Sequence, residues 1–449
     1  MTVSKDAKRL ATLVSLGCAK NLVDSETMVP QILRLGYVMT DDPTAASLIV
    51  VNTCGFLESA VEEALETILS IAENKTLGAC EDLVVTGCMV QRYGKKLPAL
   101  LPEVDLFLGT SHYSTLEEAL MARGRGATRK VYISPPRNLD SGARVLSTPF
   151  YSAYVKIAEG CGNRCTYCMI PHLRGPQRSR TVEDVLREVR GLAADGVKEI
   201  NLIAQDTTAF GSDRNDPDAL LRLLESLDAV SGLEWVRLLY VYPDRVDGKL
   251  LDAMKQSSKV VPYLDIPLQH SVPRILRAMR SGPAPGDTDR LIESIRSHIP
   301  DIALRTSIMV GFPGETEEDF EALSGFLERA EFDHAGFFAY SPEPGTKAAR
   351  MADQVDDETK ERRKNRLIEL QREISRRRLM GFIDRVFPVL IEGPHPETDL
   401  LLAGRLPTQA PEVDGTVIVT AGDGEVGRIV QARITASHDY DLEAELLSE

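Results

Sequence analysis

The sequence predicts an α/β protein in three parts: an N-terminal domain on an open parallel sheet, a central partial (β/α)6 barrel, and a small C-terminal antiparallel β-barrel of the OB-like kind. Three observations predict it. Strand-length apolar runs alternate with runs of helical period from residue 11 to 120, and again from 151 to 340. From Gly381 onward the runs become short, closely spaced and separated by glycine turns. The 449 residues suffice for roughly three domains of ordinary size, each with its own core.

In the first part the strands are ATLVSLG, SLIVVNT and DLVVTG, and NLVDSETMVPQILRLG and the segment from Val61 to Ala72 are the helices between them. Each strand is followed by a cysteine: Cys18, Cys54 and Cys88. An open parallel sheet gathers the carboxyl ends of its strands on one edge, so these thiols are expected to converge across sequence gaps of more than thirty residues. Buried apolar cysteines are the competing reading. Repetition of one topological position three times favours convergence. Cys80 precedes its strand, falls on the opposite edge, and is expected to bind nothing. The Gly/Arg/Pro/Ser-rich stretch from Arg123 to Ser147 reads as a linker.

The central strands are YSAYVKIA, KEINLIA, EWVRLLY, PYLDIPL, IALRTSIMV and HAGFFAY, six where a closed barrel would need eight. Polar residues follow their carboxyl ends: a cysteine loop after the first, Gln205 and Asp206 after the second, Gln269 and His270 after the fourth, GFPGET after the fifth, Tyr340 after the last. That is the end at which such barrels keep their chemistry. His270 taken alone reads as a structural hydrogen-bonding histidine.

The cysteine loop is AEGCGNRCTYC, with Cys161, Cys165 and Cys168 spaced C-x3-C-x2-C. Three thiolates can hold a cubane iron-sulfur cluster with one iron left open. An open iron can chelate the amino and carboxylate groups of S-adenosylmethionine, so the spacing points to radical chemistry. His172, four residues after Cys168, leaves open a closed Cys3His zinc site. Tyr167 and the strand before the loop favour the first reading. In its light the glycines of GFPGET, from Gly311 to Thr316, are candidates to line an adenosine pocket.

From Asp356 to Arg378, Leu367, Leu370 and Ile374 recur at helical spacing, and the run Arg376, Arg377, Arg378 reads as a solvated face. VFPVLIEG, LLLAGRL, GTVIVTAG and GRIVQARITAS supply the terminal strands. The domains are therefore expected over 8–122, 145–378 and 380–449.

The net charge of −15 argues against broad affinity for nucleic acid. Residues 381–449 hold four basic and thirteen acidic side chains, a net −9. LATLVSLGC after Lys5, Lys8 and Arg9 is too short for a targeting segment, and no apolar run reaches the ~18 residues of a membrane span. A cytoplasmic protein with reduced thiols and no membrane partner is expected.

The order of segments resembles the radical S-adenosylmethionine methylthiotransferases, over nearly the whole chain. That resemblance implies two 4Fe-4S clusters, one on Cys161, Cys165 and Cys168 and a second on Cys18, Cys54 and Cys88, with S-adenosylmethionine as cofactor and a terminal TRAM domain. It makes Tyr167, Gln205, Gln269 and Gly311 candidates for the S-adenosylmethionine pocket, and implies a reaction that converts C–H to C–SCH3. SLGCAKNLVDSE, AEGCGNRCTYCMIPHLRG, AQDTTAFG, PYLDIPLQH and APEVDG are similar to the branch that modifies an aspartate of small-subunit ribosomal protein twelve. The GCQMN and GQNV wording of the tRNA-modifying branch does not occur. A terminal domain at −9 would repel a tRNA backbone and attract a basic ribosomal protein. The implied partners are that protein, free or within the ribosomal subunit, and a reductant such as flavodoxin or ferredoxin; tRNA is not expected. A tRNA adenosine methylthiotransferase, a nonenzymatic iron-sulfur carrier or sensor, and a zinc-bearing RNA-binding protein are the alternatives.

Overall fold

The computed structural model describes residues 9–136, 139, 142–281 and 288–447. The chain divides into two compact units, one of residues 1–149, 156–163 and 168–180, the other of 150–155, 164–167 and 181–449.

The first unit holds a six-stranded sheet in the order β2-β1-β3-β4-β5-β6. Its strands are β1 (Arg9–Ser15), β2 (Tyr37–Met39), β3 (Leu48–Thr53), β4 (Asp82–Gly87), β5 (Leu106–Leu108) and β6 (Val131–Tyr132), and every ladder is parallel. β3 is buried on both faces. Ile49 and Val51 pack with Val61, Ala64 and Ile68 of the helix Glu58–Ala72, and Leu48 and Val50 pack with Met28 and Ile32 of the helix Ala19–Arg34. That two-sided burial explains the unbroken apolar run LIVV. The chain order reverses between β1 and β3, where Ser15 pairs with Asn52, and Thr53 pairs with Gly87 one strand further on. The ends that carry Cys18, Cys54 and Cys88 are therefore neighbours in register.

The stretch from Arg123 to Ser147 is more than a linker where it is described; residues 137, 138, 140 and 141 lie outside the described residues. Val131–Tyr132 forms β6. Arg144 forms a buried ion pair with Glu26, and the Ser147 amide donates to Glu26 Oε1 at 2.8 Å. Composition marked a coil; pairing and one buried carboxylate fix much of it. A two-stranded ribbon, β8 (Ala158–Glu159) with β9 (Arg178–Ser179), flanks the cysteine loop.

Six strands form the second sheet: β7 (Ser152–Lys156), β10 (Glu199–Ile203), β11 (Trp235–Leu238), β12 (Val260–Asp265), β13 (Ala303–Val310) and β14 (His334–Ala339), in the order β14-β13-β12-β11-β10-β7. The ladders from β10 to β14 are parallel, and the sheet stays open at β7 and β14, as six strands predict. The helix Asp357–Met380 buries Lys360, Arg363, Leu367, Gln371 and Ile374, while Leu370 is half-buried. Arg376 pairs with Asp439, Arg377 with Glu331, and Arg378 with Asp333. Those guanidiniums are occupied by carboxylates of the chain itself.

The terminal barrel is closed in the order β15-β16-β17-β19-β18, from β15 (Val386–His395), β16 (Thr398–Arg405), β17 (Val417–Ala421), β18 (Ile429–Ser437) and β19 (Leu442–Leu446). Four of its five ladders are antiparallel, as expected of the OB-like kind, and β17 pairs with β19 in parallel. Closure places β19 between β17 and β18, and two chain reversals after β17 it runs in the same direction. Its alternation is plain, with Leu442 and Ala444 inside and Glu443 and Glu445 outward, but glutamate at alternate positions disguises it.

Candidate functional site

Two glycines bring the cysteine-bearing ends of the first sheet together. Gly17, at φ 98°, stands so near the next loop that a Cβ would lie 2.9 Å from Cys54 Cβ. Gly87, at φ 105°, is packed on the Thr53 carbonyl, well inside van der Waals contact for any added Cβ. Asn21 ties the same loops by donating to the carbonyls of Leu16 at 2.9 Å and Thr53 at 3.1 Å. Asn52 donates to the Asn21 carbonyl at 2.9 Å and to Ser25 Oγ at 3.0 Å.

Cys18 is exposed, Cys54 half-buried and Cys88 buried. Burial pushes the Cys54 thiol up, and Cys18 adds to the rise. Cys88 is pushed up to about 12, mostly by burial, with Arg174 opposing and with Cys18 and Cys54 adding to it. Cys18 thus bears on Cys54, and both bear on Cys88. Cys80 lies apart, before β4, in a core with Ala46, Leu83 and Phe107.

A buried set of charges adjoins Cys88. Arg174 Nε donates to Cys88 Sγ at 3.2 Å, Nη1 to Asp24 Oδ2 at 2.6 Å, and Nη2 to Asn21 Oδ1. Glu159 Oε2 lies 3.2 Å from Arg174 Nη1 and 2.8 Å from Lys156 Nζ, and Lys156 also pairs with Asp24. Sequence reasoning missed all four charged residues. The available signal was Lys156 and Glu159 flanking an otherwise apolar strand end, and a polar face at Asn21, Asp24 and Ser25 continuing the apolar face of Met28 and Ile32 on one helix.

Of the C-x3-C-x2-C loop, the first unit holds Cys161 and Cys168, whose sulfurs accept from the amides of Asn163 and Ile170, each at 3.4 Å. In the second unit Cys165 is pushed up by burial, against hydrogen bonds from Ser281, Tyr167 and Tyr242. Among the described residues no three His, Cys, Asp or Glu side chains close on a single ion. Both sets are thiols only, the donors an iron-sulfur cluster takes, and backbone or side-chain N–H groups reach sulfurs in each. By donor type the residues present fit such clusters.

Tyr167 packs with Ile275, Met279, Met309, Phe312 and Tyr340, and its hydroxyl lies 3.3 Å from Ser281 Oγ. Gln205 follows β10, half-buried. Gln269 holds φ 70°, pairs with β13 through an isolated bridge to Ile308, and has a buried Oε1 with no hydrogen-bond partner among the described residues. A strained backbone beside an unsatisfied amide oxygen suits a polar ligand. Gly311, at φ 71°, is required for a different reason than expected. The Lys360 side chain lies where a Cβ would be, and Glu315 Oε2 accepts from the Gly311 amide at 2.8 Å. His270 is fully buried, with Nδ1 accepting from the Val272 amide at 3.0 Å, while Nε2 lies 3.7 Å from Glu315 Oε2 and has no hydrogen-bond partner among the described residues.

Residues 11–109 match the model of uncharacterized protein family UPF0004, 155–327 that of the radical SAM superfamily, and 383–447 that of the TRAM domain. The chain is 61% identical to ribosomal protein uS12 methylthiotransferase RimO of Syntrophobacter fumaroxidans over 98% of each chain. The chain belongs to the uS12 methylthiotransferase family. The member from Geobacter sulfurreducens is 47% identical over 99% of this chain and 100% of its own. Among solved structures, the radical S-adenosylmethionine methyltransferase TsrM of Kitasatospora setae superposes with a TM-score of 0.55 at 18% identity, covering 74% of this chain and 75% of that one, a likeness of fold alone. Both uS12 methylthiotransferases align over nearly the full length of each chain. Among the described residues no helix is long and apolar enough to cross a membrane.

Proposed function

We propose that this chain methylthiolates the β-carbon of an aspartate in ribosomal protein uS12. The trio Cys18, Cys54 and Cys88 is its strongest support, since an enzyme that only cleaved S-adenosylmethionine would have no need of a second thiol set. The aspartate β-carbon bears no proton that a side-chain base could remove at reasonable cost. When bound to Cys161, Cys165 and Cys168, a 4Fe-4S cluster with S-adenosylmethionine supplies one-electron chemistry that removes hydrogen from such a carbon. Cys18, Cys54 and Cys88 would hold the second 4Fe-4S cluster, the sulfur-presenting one, and a further S-adenosylmethionine would supply the methyl group. Tyr167, Gln205, Gln269 and Gly311 are the proposed S-adenosylmethionine pocket, Gln269 by its unsatisfied amide oxygen and Gly311 by its place at the end of β13.

The proposed division is a methylthiotransferase N-terminal domain over 8–122, a radical S-adenosylmethionine domain over 145–378 and a TRAM domain over 380–449. The proposed setting is the cytoplasm, with flavodoxin or ferredoxin as electron donor and uS12 free or within the small subunit as substrate. Charge supports a protein substrate, though less simply than the count of −9 suggested. Asp414 is spent on Arg305, Glu392 on Arg405 and Asp439 on Arg376.

The test is anaerobic incubation of the reconstituted chain with S-adenosylmethionine, dithionite and either uS12 or tRNA. Methylthio-aspartate in uS12 together with 5′-deoxyadenosine is expected. Methylthiolation of tRNA alone would make it a nucleic-acid enzyme, and no 5′-deoxyadenosine with either would leave an iron-sulfur carrier.

A further inference from the structure

Arg174 lies six residues beyond Cys168, in the segment HLRG, and its guanidinium is divided among partners of two kinds. Asp24 and Glu159 balance charge, whereas Cys88 Sγ and Asn21 Oδ1 take Nε and Nη2. The side chains of Arg174, Asp24, Lys156 and Glu159 are 2%, 2%, 5% and 6% exposed, so water is largely excluded from the set. Two cations meet two carboxylates, and the four are electrically complete without Cys88. A purely structural ion-pair cluster would have no use for the contact from Nε to sulfur. Asp24 braces it, bridging Lys156 and Arg174 with its two oxygens and so holding the guanidinium plane with Nε toward Cys88.

We propose that Arg174 is a positioning residue for the second cluster: its Nε donates a hydrogen bond to the Cys88 thiolate that ligates the cluster and eases its reduction. This rests on Cys18, Cys54 and Cys88 being a cluster site, as proposed above. An iron-sulfur cluster becomes more negative when it takes up an electron, and a buried thiolate has little water to absorb that charge. A fixed cation donating to its sulfur stabilises the reduced form, and potentials follow hydrogen bonds to sulfur. The segment that carries the first cluster's cysteines would thereby also supply an electrostatic partner to the second.

The test uses the full chain with Cys161, Cys165 and Cys168 all changed to alanine, so that only the second cluster reconstitutes with iron and sulfide. Arg174→Lys keeps a cation against Asp24 and Glu159 but has a single head to share. Arg174→Gln removes the charge, and Asp24→Asn with Arg174→Gln keeps the buried charges balanced should the single change fail to fold. We expect iron per chain to stay at the parent level, while the midpoint potential, followed by electron paramagnetic resonance, moves to more negative values, less for lysine than for glutamine. With the three cysteines restored, methylthiolated uS12 should fall about tenfold or more, while 5′-deoxyadenosine formation stays within about twofold, the lysine variant recovering part of the loss. An unchanged potential and spectrum in an iron-replete, charge-balanced variant would overturn the role of Arg174 alone. Failure of the parent triple variant to take up iron would overturn the cluster site, and this inference with it.

Discussion

Arg405 and Glu199, 206 positions apart, form a forked ion pair, Nη2 to Oε2 at 2.7 Å and Nη1 to Oε1 at 3.2 Å. Arg237 adds a contact at 3.1 Å and the Ser152 hydroxyl one at 2.8 Å, so the first residue of β10 is held by β7, β11 and the end of β16. The loop that follows β16 continues the closure. Asp414 accepts from Arg305 at 2.5 Å, from Tyr263 at 2.7 Å and from the Ala410 amide at 2.8 Å, and Arg237 donates to the Pro407 carbonyl at 2.7 Å. The terminal barrel and the partial barrel share a buried polar seam in the second unit.

That seam sets an acid limit. Burial alone would raise the Glu199 carboxyl, but Arg405 and Arg237 outweigh it and hold the group at about 2 against an ordinary 4.5. A depressed carboxylate gives stability that is complete above the unfolded value and is lost as pH falls toward the folded one, here from about 4.5 to 2. The contribution is on the order of 3 kcal/mol. Glu199→Gln should destabilise the chain by about 3–5 kcal/mol at neutral pH, because two buried guanidiniums lose their counter-charge. It should also flatten the acid dependence in that window. Urea unfolding midpoints across the pH range check both; parallel pH profiles for variant and parent would contradict them.

Asp414→Asn should weaken the chain by a similar amount, about 3–5 kcal/mol, since it strips the charge partner from Arg305 within the seam. APEVDG served in the sequence as a mark of branch; its aspartate acts in the fold as a seam residue. The expected result is a lower unfolding midpoint with iron content unchanged. Loss of substrate methylthiolation at full stability would instead make Asp414 a recognition residue.

Gly311→Ala meets two obstacles, a left-handed backbone that costs roughly 1–2 kcal/mol for a residue with a Cβ and the Lys360 side chain in the space that Cβ needs. Lys360→Ala should relieve the second and leave the first. The double variant is therefore expected to melt above the single Gly311→Ala variant, measured without S-adenosylmethionine so that stability is read apart from cofactor binding.

Changing any one of Cys18, Cys54, Cys88, Cys161, Cys165 or Cys168 to alanine should remove one cluster's share of iron and abolish methylthiolation. Cys80→Ala should keep both. Iron and acid-labile sulfide per chain, assayed after anaerobic reconstitution, distinguish the outcomes.

The strands that carry the site were legible because each combines a long apolar run with a chemically distinctive residue at its end, as LIVVNT does with Cys54. β2, β5 and β6 were not, being two or three residues long and too short to show a period. Adjacency of the strand ends that precede Cys18, Cys54 and Cys88 followed from topology alone, because parallel strands share one edge. Arg174, Asp24, Lys156 and Glu159 were hidden for a different reason. A charged residue reads as exposed until its partner is known, and Asp24 and Arg174 stand 150 positions apart. Gly311 was visible as a glycine, but the side chain that requires it comes from Lys360 on a later helix.

The substrate is read most directly in cells. Mass spectrometry of uS12 and of tRNA from a strain lacking this chain, beside its parent, decides it. The uS12 aspartate peptide should lose one methylthio group in the mutant while tRNA modification is unchanged. Intact methylthio-aspartate in the mutant, or a methylthio group missing from tRNA alone, would contradict it.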